Sequence, residues 1–278
     1  MHTEMRQLFT GEFYGQTNQT RQFDGITITD TEYQLEYVDW HYHENAYFTF
    51  ILQGNLIEGN KTETYHCGPG TLLFHNWQEP HYNIKPEGFS RGFQVEVSKQ
   101  WIDSFEINLF NTQGSQQITR TDIKLLFYQL FSLSKTDNKL TSLLIQCNLL
   151  QSFATLANCN EDPLSNYPEW IHRIKEYLYF EQVEKLTLDN LAKEANVHPV
   201  HLSRSFPKYF NCSLSEYIRK IRIEKSFQLL LNSNMRLTDI SYACGFSDQS
   251  HFSRCFKTAG GMSPKAFRNL AHQYISKG

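Results

Sequence analysis

His201-Leu202-Ser203-Arg204-Ser205-Phe206 returns fifty positions later as His251-Phe252-Ser253-Arg254-Cys255-Phe256. A unit repeated at a fixed period marks one structural module used twice. In each copy the second and sixth residues are apolar and four apart, so they share one helix face. Ser and Arg fall off that face. Arginine can pair bidentately with guanine, and serine can bond either a base or a phosphate. The chemistry offered is recognition of a nucleic acid, and it needs two short helices that each bury one stripe.

A second set of reactive residues lies upstream. His41, His43 and His81 carry imidazole donors suited to a metal, and they stand among Trp40, Tyr47, Phe50, Phe74 and Trp77. Aromatic groups with a few polar ones suit a small ligand such as a sugar. The alternative for each aromatic is plain core packing. Glu44, beside the His-x-His pair, is too close to it to serve as a further acidic ligand. On that ground no metal and no cofactor is expected.

The chain has 278 residues and a formal net charge of −3. That length favours two domains. The charge is unevenly divided: residues 1–169 hold ten basic and twenty acidic residues, and residues 170–278 hold sixteen and nine. A basic half beside an acidic one points to a polyanion-binding module joined to something else. Six cysteines, at 67, 147, 159, 212, 244 and 255, form no C-x-x-C pair. This argues against a zinc ribbon or a disulfide framework and for a reducing cytoplasm. Residues 1–10 have no apolar export segment and no run reaches membrane-spanning length, so no membrane partner is expected.

The elements that must position these residues can be read from periodicity. Residues 25–97 show short β-branched and aromatic runs with turn signals at Gln53-Gly54, Gly59-Asn60 and Gly68-Pro69-Gly70, which predicts a small all-β barrel or sandwich. Apolar spacing then predicts two amphipathic helices, 121–133 and 140–157. Prolines 163 and 168 among polar residues predict a linker over 161–169. This divides the chain into a domain of 1–160, the linker, and an all-helical domain of 170–278. Within the last, helices are expected over 170–180, 188–195 (capped by Thr187), Pro199 to Phe210, 214–231 (capped by Ser213), 238–244 (closed by Gly245), a helix capped by Ser247 and ended by Gly260-Gly261, and one started by Ser263-Pro264. Helix, turn of three or four residues, helix, used twice, is the helix-turn-helix pattern. The long helix between the units, about 29 Å, approaches one turn of B-DNA and could set both second helices into successive major grooves.

The run Gly245-Phe246-Ser247-Asp248-Gln249-Ser250-His251-Phe252-Ser253-Arg254-Cys255-Phe256-Lys257, with Ser263-Pro264-Lys265-Ala266-Phe267-Arg268 and Tyr217-Ile218, Arg222-Ile223 and Leu229-Leu230, resembles the signature of AraC/XylS-type transcription regulators. The resemblance spans residues 170–268. It implies DNA contacts from Val200, Ser203 and Arg204 in the first unit, and from Gln249, Ser250, His251, Ser253 and Arg254 in the second. Lys208, Lys257, Lys265 and Arg268 read as phosphate contacts or solvated surface. Either Arg204 or Arg254 could instead be a structural arginine paired with a carboxylate. The sequence departs from the pattern at Pro207, which should kink or shorten the first recognition helix, and at Asn196 and Cys212, which stand in place of turn glycines. Base reading is therefore expected to rest more on the second copy.

His41-Tyr42-His43 with Gly54, then Gly68-Pro69-Gly70 with His81, resembles the two cupin motifs over residues 40–82. The resemblance implies a barrel whose mouth takes a small-molecule effector, lined by Trp40, His43, Tyr47, Phe50, Phe74, Trp77 and His81. Together these readings predict a non-enzymatic, cytoplasmic transcription regulator, an activator acting as a homodimer on double-stranded DNA with RNA polymerase as a further partner. The competing reading is a metal-dependent cupin enzyme carrying a DNA-binding tail.

Overall fold

The computed structural model describes residues 5–107, 115–157, 168–180 and 186–273. Residues 161–167 of the expected linker lie outside them. Contacts divide the chain into two compact units, residues 1–157 with 269–278 and residues 158–268.

The first unit is a β structure followed by helices. Its strands are β1 (Arg6–Leu8), β2 (Gln16–Phe23), β3 (Ile26–Glu32), β4 (Tyr37–His43), β5 (Ala46–Gln53), β6 (Leu56–Asn60), β7 (Thr64–Cys67), β8 (Leu72–His75), β9 (His81–Ile84) and β10 (Arg91–Val97). Helix α1 (Lys99–Ser104), strand β11 (Gln116–Ile118) and helices α2 (Thr121–Ser134) and α3 (Thr141–Ala157) complete it. Five strands form one sheet in the order β1-β4-β9-β6-β7, and six form another in the order β11-β8-β5-β10-β3-β2. The β region thus reaches beyond the expected 25–97. β1 and β2 are polar strands without an apolar run, and β11 has three residues, so neither carries a periodicity signal.

β5 shows how the layers are built. Its side chains alternate between two buried faces, one turned to the opposite sheet and one to the helices. Phe48 and Phe50 pack on Phe127 of α2, and Phe48 and Phe74 pack on Phe153 of α3. Tyr47 and Thr49 face the other way. The turn after β5 depends on Gly54, whose φ is +70°; a Cβ there would meet the Phe89 carbonyl at 1.8 Å. Gly59, in contrast, is not in a turn. It lies within β6 where the Tyr82 ring crosses, and Asn60 starts the turn by accepting from the backbone of Thr62 and Glu63.

The described residues from 168 on are helical: α4 (Glu169–Phe180), α5 (Leu188–Glu194), α6 (Pro199–Phe210), α7 (Leu214–Asn232), α8 (Leu237–Ala243), α9 (Gln249–Gly260) and α10 (Pro264–Gln273). Thr187 and Ser213 cap α5 and α7 as expected. The α7 strut belongs to both halves. Leu214 and Ile218, near its start, join the core of Leu191, Leu202 and Phe206. Phe227, further on, packs on Phe256 at 4.2 Å and Phe267 at 4.7 Å. Gly260 permits that approach, since a Cβ there would meet the Phe227 ring at 2.6 Å.

Candidate DNA-reading helices and an enclosed barrel site

The two helix-turn-helix units are not identical in their turns. Four residues separate α5 from α6, and five separate α8 from α9. Ser247 is the additional residue, which displaces it from the cap. Asp248 caps α9 instead, its carboxylate accepting from the His251 amide at 2.7 Å. That amide bond, first among the groups around it, holds the Asp248 carboxyl below the usual carboxylate range. In the first unit His198 takes the equivalent place and accepts from the Val200 amide.

Pro207 does not shorten α6. The helix runs twelve residues, as α9 does, and the Asn211 amide bonds the Pro207 carbonyl just as the Gly261 amide bonds Lys257. Proline costs the helix its own amide bond to Ser203, but it is exposed and the apolar stripe of Leu202 and Phe206 holds the turn in place. The left-handed residue after α6 is Asn211, at φ +55°, and not Cys212; Asn196 occupies the other such position at φ +53°. Asparagine tolerates this conformation better than most residues, so the missing glycines are met in kind.

Leu202, Phe206, Phe252 and Phe256 are fully buried. On the outer faces, Val200, Ser203 and Arg204 are exposed on α6, and Gln249, Ser250, His251 and Arg254 are exposed on α9; Ser253 is half-buried. Among the described residues, no hydrogen bond or ion pair engages the guanidinium of Arg204 or Arg254. Gln249 is held from behind, its side-chain carbonyl accepting from the Thr238 hydroxyl of α8 at 2.6 Å. Lys208, Lys257 and Lys265 are exposed, and Arg268 is half-buried.

Between the two sheets of the barrel lies a partly open cavity of about 30 Å³. Three of the seven expected lining residues, His43, Tyr47 and His81, do line it. Four do not. Phe50 and Phe74 lie on the far face of the sheet under α2 and α3. Tyr47 and Phe50 are three apart on one strand and must face opposite ways. Trp40 stands three from His43 on β4 and packs outside on Tyr82 at 5.1 Å. Trp77 sits half-buried beyond the end of β8.

The cavity wall also contains residues that sequence reasoning missed. Phe13 and Tyr14 cross it from the N-terminal segment, Phe13 against His43 at 4.7 Å and Tyr14 against His41 at 5.0 Å. β1 ties that segment down by pairing with β4, Arg6 opposite His41 and Leu8 opposite His43. Glu58 of β6 and His75 of β8 are buried within the same cluster. The expectation that no acidic group stands near the histidines therefore needs correction: it holds for the stretch after His43, but Glu58 arrives from another strand.

The tautomers follow from the hydrogen bonds. Nδ1 of His41 lies 2.8 Å from the Asp39 carbonyl, and Nδ1 of His81 lies 3.0 Å from the Glu79 carbonyl. Each Nδ1 must carry the proton, which leaves Nε2 with its lone pair. Tyr47 donates to Nε2 of His81 at 3.0 Å. Burial, reinforced by the neighbouring imidazoles, pushes His81 down to about 3 and holds His43 and His75 well below the usual histidine value. Burial pushes the Glu58 carboxyl up to about 8. His75 and Glu58, 3.4 Å apart, are thus a neutral contact at pH 7 rather than an ion pair. Nδ1 of His43, Nε2 of His75 and Oε1 of Glu58 are buried without a hydrogen-bond partner among the described residues.

A β barrel with a buried polar site, followed by two helix-turn-helix units on one strut, defines an effector-controlled DNA-binding regulator. Family-level similarity agrees. Residues 25–153 match the AraC-like ligand binding domain, and residues 191–270 match a helix-turn-helix domain. The chain is 32% identical over 207 residues to the Msm operon regulatory protein of Streptococcus mutans, covering 66% of this chain and 73% of that one. It is 25% identical over 258 residues to the HTH-type transcriptional regulator YdeC of Bacillus subtilis, covering 84% and 87%. A shorter match, 33% over 103 residues, covers 49% of the bifunctional transcriptional activator/DNA repair enzyme AdaA of Bacillus subtilis. The crystal structure of ToxT from Vibrio cholerae O395 is matched over 89% of this chain and 98% of that one, at 13% identity and a TM-score of 0.36. The chain belongs to the AraC family of transcription regulators.

Proposed function

We propose that this regulator is a cytoplasmic transcription activator that reads DNA through α6 and α9 and answers to a small effector in the barrel. Residues 1–160 form the sensing and dimerisation part and residues 170–278 the DNA-binding part, joined over 161–169. The carrying observation is the pair of twelve-residue helices that bury Leu202 and Phe206, or Phe252 and Phe256, and present Arg204 and Arg254 outward without a partner among the described residues. Gln249, Ser250 and His251 occupy the first turn of α9, where a recognition helix meets base edges. Val200 and Ser203 are placed likewise on α6, and Ser253 sits at the rim of α9. No helix among the described residues is long and apolar enough to cross a membrane.

Homodimerisation is assigned to α3. Leu140, Leu143, Leu144 and Cys147 are exposed at spacings of three and four, one stripe on the side opposite buried Ile145, Leu149 and Phe153. A second copy presenting the same stripe would cover it. RNA polymerase is the partner that an activator bound beside a promoter would engage.

An enzymatic reading draws on the histidines and Glu58. The two exposed helices and the match to regulator domains over both parts of the chain favour the regulator instead.

Selection of binding sequences from a random duplex library by the full-length protein tests the reading. It should return a preferred site in which each bound copy accounts for two conserved blocks about one helical turn apart. Recovery of unrelated sequences would overturn it.

A further inference from the structure

We propose that the first unit carries a second ligand site, for a small organic ammonium ion, in the pocket between the β2–β3 hairpin and the N-terminal segment.

The pocket has a volume of about 460 Å³, is open to solvent, and shares no lining residue with the histidine cavity. One wall is a cross-strand row. Gln22 of β2 stands opposite Thr27 of β3, and Thr27 opposite Glu96 of β10, so the three side chains share one face of the sheet. Thr10, Asp24, Gly25, Asn45 and Ser98 also line it. The hairpin end is tied down: the Ser98 amide donates to the Gly25 carbonyl at 2.9 Å, and a Cβ on Gly25 would meet Trp101 at 2.8 Å.

Glu96 is the group that calls for a ligand. Its side chain is buried, and one carboxylate oxygen accepts from the Gly11 amide. The other, Oε1, is buried with no hydrogen-bond partner among the described residues. Leaving such an oxygen unpaired is unfavourable unless a donor satisfies it. Burial, opposed by the Gly11 amide and reinforced by Glu44 and Glu12, pushes the Glu96 carboxyl up to about 7. A bound cation would favour its ionised form.

Charge then sets the class of ligand. Asp24 and Glu96 line the pocket, Glu12 and Glu44 act on Glu96 from nearby, and among the described residues no Lys, Arg or His lines it. The hairpin's own base, Arg21, lies on the other face of β2 and donates to the Ser134 and Thr136 carbonyls. Asn45 donates its NH₂ to the Thr10 hydroxyl, which leaves its side-chain carbonyl to accept. An ammonium group brings one positive charge and three N–H donors to such acceptors. Volume places that group on an organic skeleton, since pockets for organic ligands run to about 300–1,000 Å³.

The test is calorimetric titration of the full-length protein with n-butylammonium at constant ionic strength, with butan-1-ol, butyrate and calcium as controls. Butylammonium should bind saturably, one per chain, and the controls should not. Glu96→Gln keeps an acceptor for the Gly11 amide and removes the charge. It should weaken binding about ten- to a hundredfold, the range for a hydrogen bond to a charged group. Asp24→Asn, at an exposed position, should weaken it about two- to fivefold. Glu87→Gln, exposed in the loop before β10, should change nothing. If Glu96→Gln does not fold, Asp24→Asn carries the comparison. No saturable uptake, or uptake unaffected by the substitutions, overturns the site. Equal binding of butan-1-ol overturns the cationic class, and binding of calcium in place of butylammonium overturns the organic one.

Discussion

The Thr238 hydroxyl donates to the Gln249 side-chain carbonyl at 2.6 Å, across the turn of the second helix-turn-helix unit. The amide of Gln249 is thereby held at the first position of α9. Glutamine reads adenine only when both amide atoms are correctly placed. Thr238→Val removes the hydroxyl and keeps the shape. It should weaken binding to the selected site about two- to tenfold, the worth of one hydrogen bond, and relax preference at a single base pair. Competition binding against single-base variants of the site measures both. An unchanged preference would mean that Gln249 is not a reading residue.

Arg254→Ala should cost about 1–3 kcal/mol of affinity for the selected site and relax one base position. Arg204→Ala should relax a different position, about one helical turn away. Equilibrium binding on the full site and on each half separates the two effects. A uniform loss on all sequences would make these arginines phosphate contacts.

Pro207→Lys restores the amide that α6 lacks at that turn. Because α6 already runs to Phe210 and Pro207 is exposed, DNA affinity should stay within about twofold while stability of the helical unit rises by about 1–3 kcal/mol. Chemical denaturation and a binding isotherm check the two halves of this expectation. A large loss of affinity would show that the proline itself shapes the docking surface.

The barrel is joined to α2 by a buried charge cluster. Arg91 donates to both oxygens of Asp30 at 2.7 and 2.6 Å, and Lys135, just after α2, donates to one of them. Burial alone would raise the Asp30 carboxyl, but Arg91 and then Lys135 hold it below the usual carboxylate value. Burial of the ammonium lowers Lys135 in turn; the direction at Asp30 stands because two cations bond it. A carboxyl with a depressed folded pKa stabilises the fold above its unfolded pKa, about 3.9, and that contribution fades as pH falls through the folded value. Unfolding free energy of the barrel should therefore drop below about pH 4. Asp30→Asn should cost about 3–5 kcal/mol at pH 7, since it leaves buried cations unpaired, and should flatten the acid dependence. Urea titrations of both proteins across pH 3–7 measure this.

Local signals made the helical half legible. Caps at Thr187, Ser213 and Ser263, the apolar pairs in each hexamer and the long helix between them are all short-range features of the chain. What escaped was one inserted residue, Ser247, which shifts the cap to Asp248, and the ability of Asn211 to stand where glycine was expected. The barrel site was less legible because it is assembled from strands far apart in sequence. Glu58 gives no motif; only its pairing on β6 and its burial make it a neighbour of His75 and His81. Phe50 was legible, since its odd spacing from Tyr47 along β5 already places it on the other face, whereas the facing of Phe74 follows only from its pairing with Phe48.

Footprinting of the full-length protein on its selected site follows both reading helices at once. Each copy bound should protect two major-groove segments on one face of the duplex, about one helical turn apart, the first weakened in Arg204→Ala and the second in Arg254→Ala. Protection of a single segment, or of none, in the wild type would contradict the account.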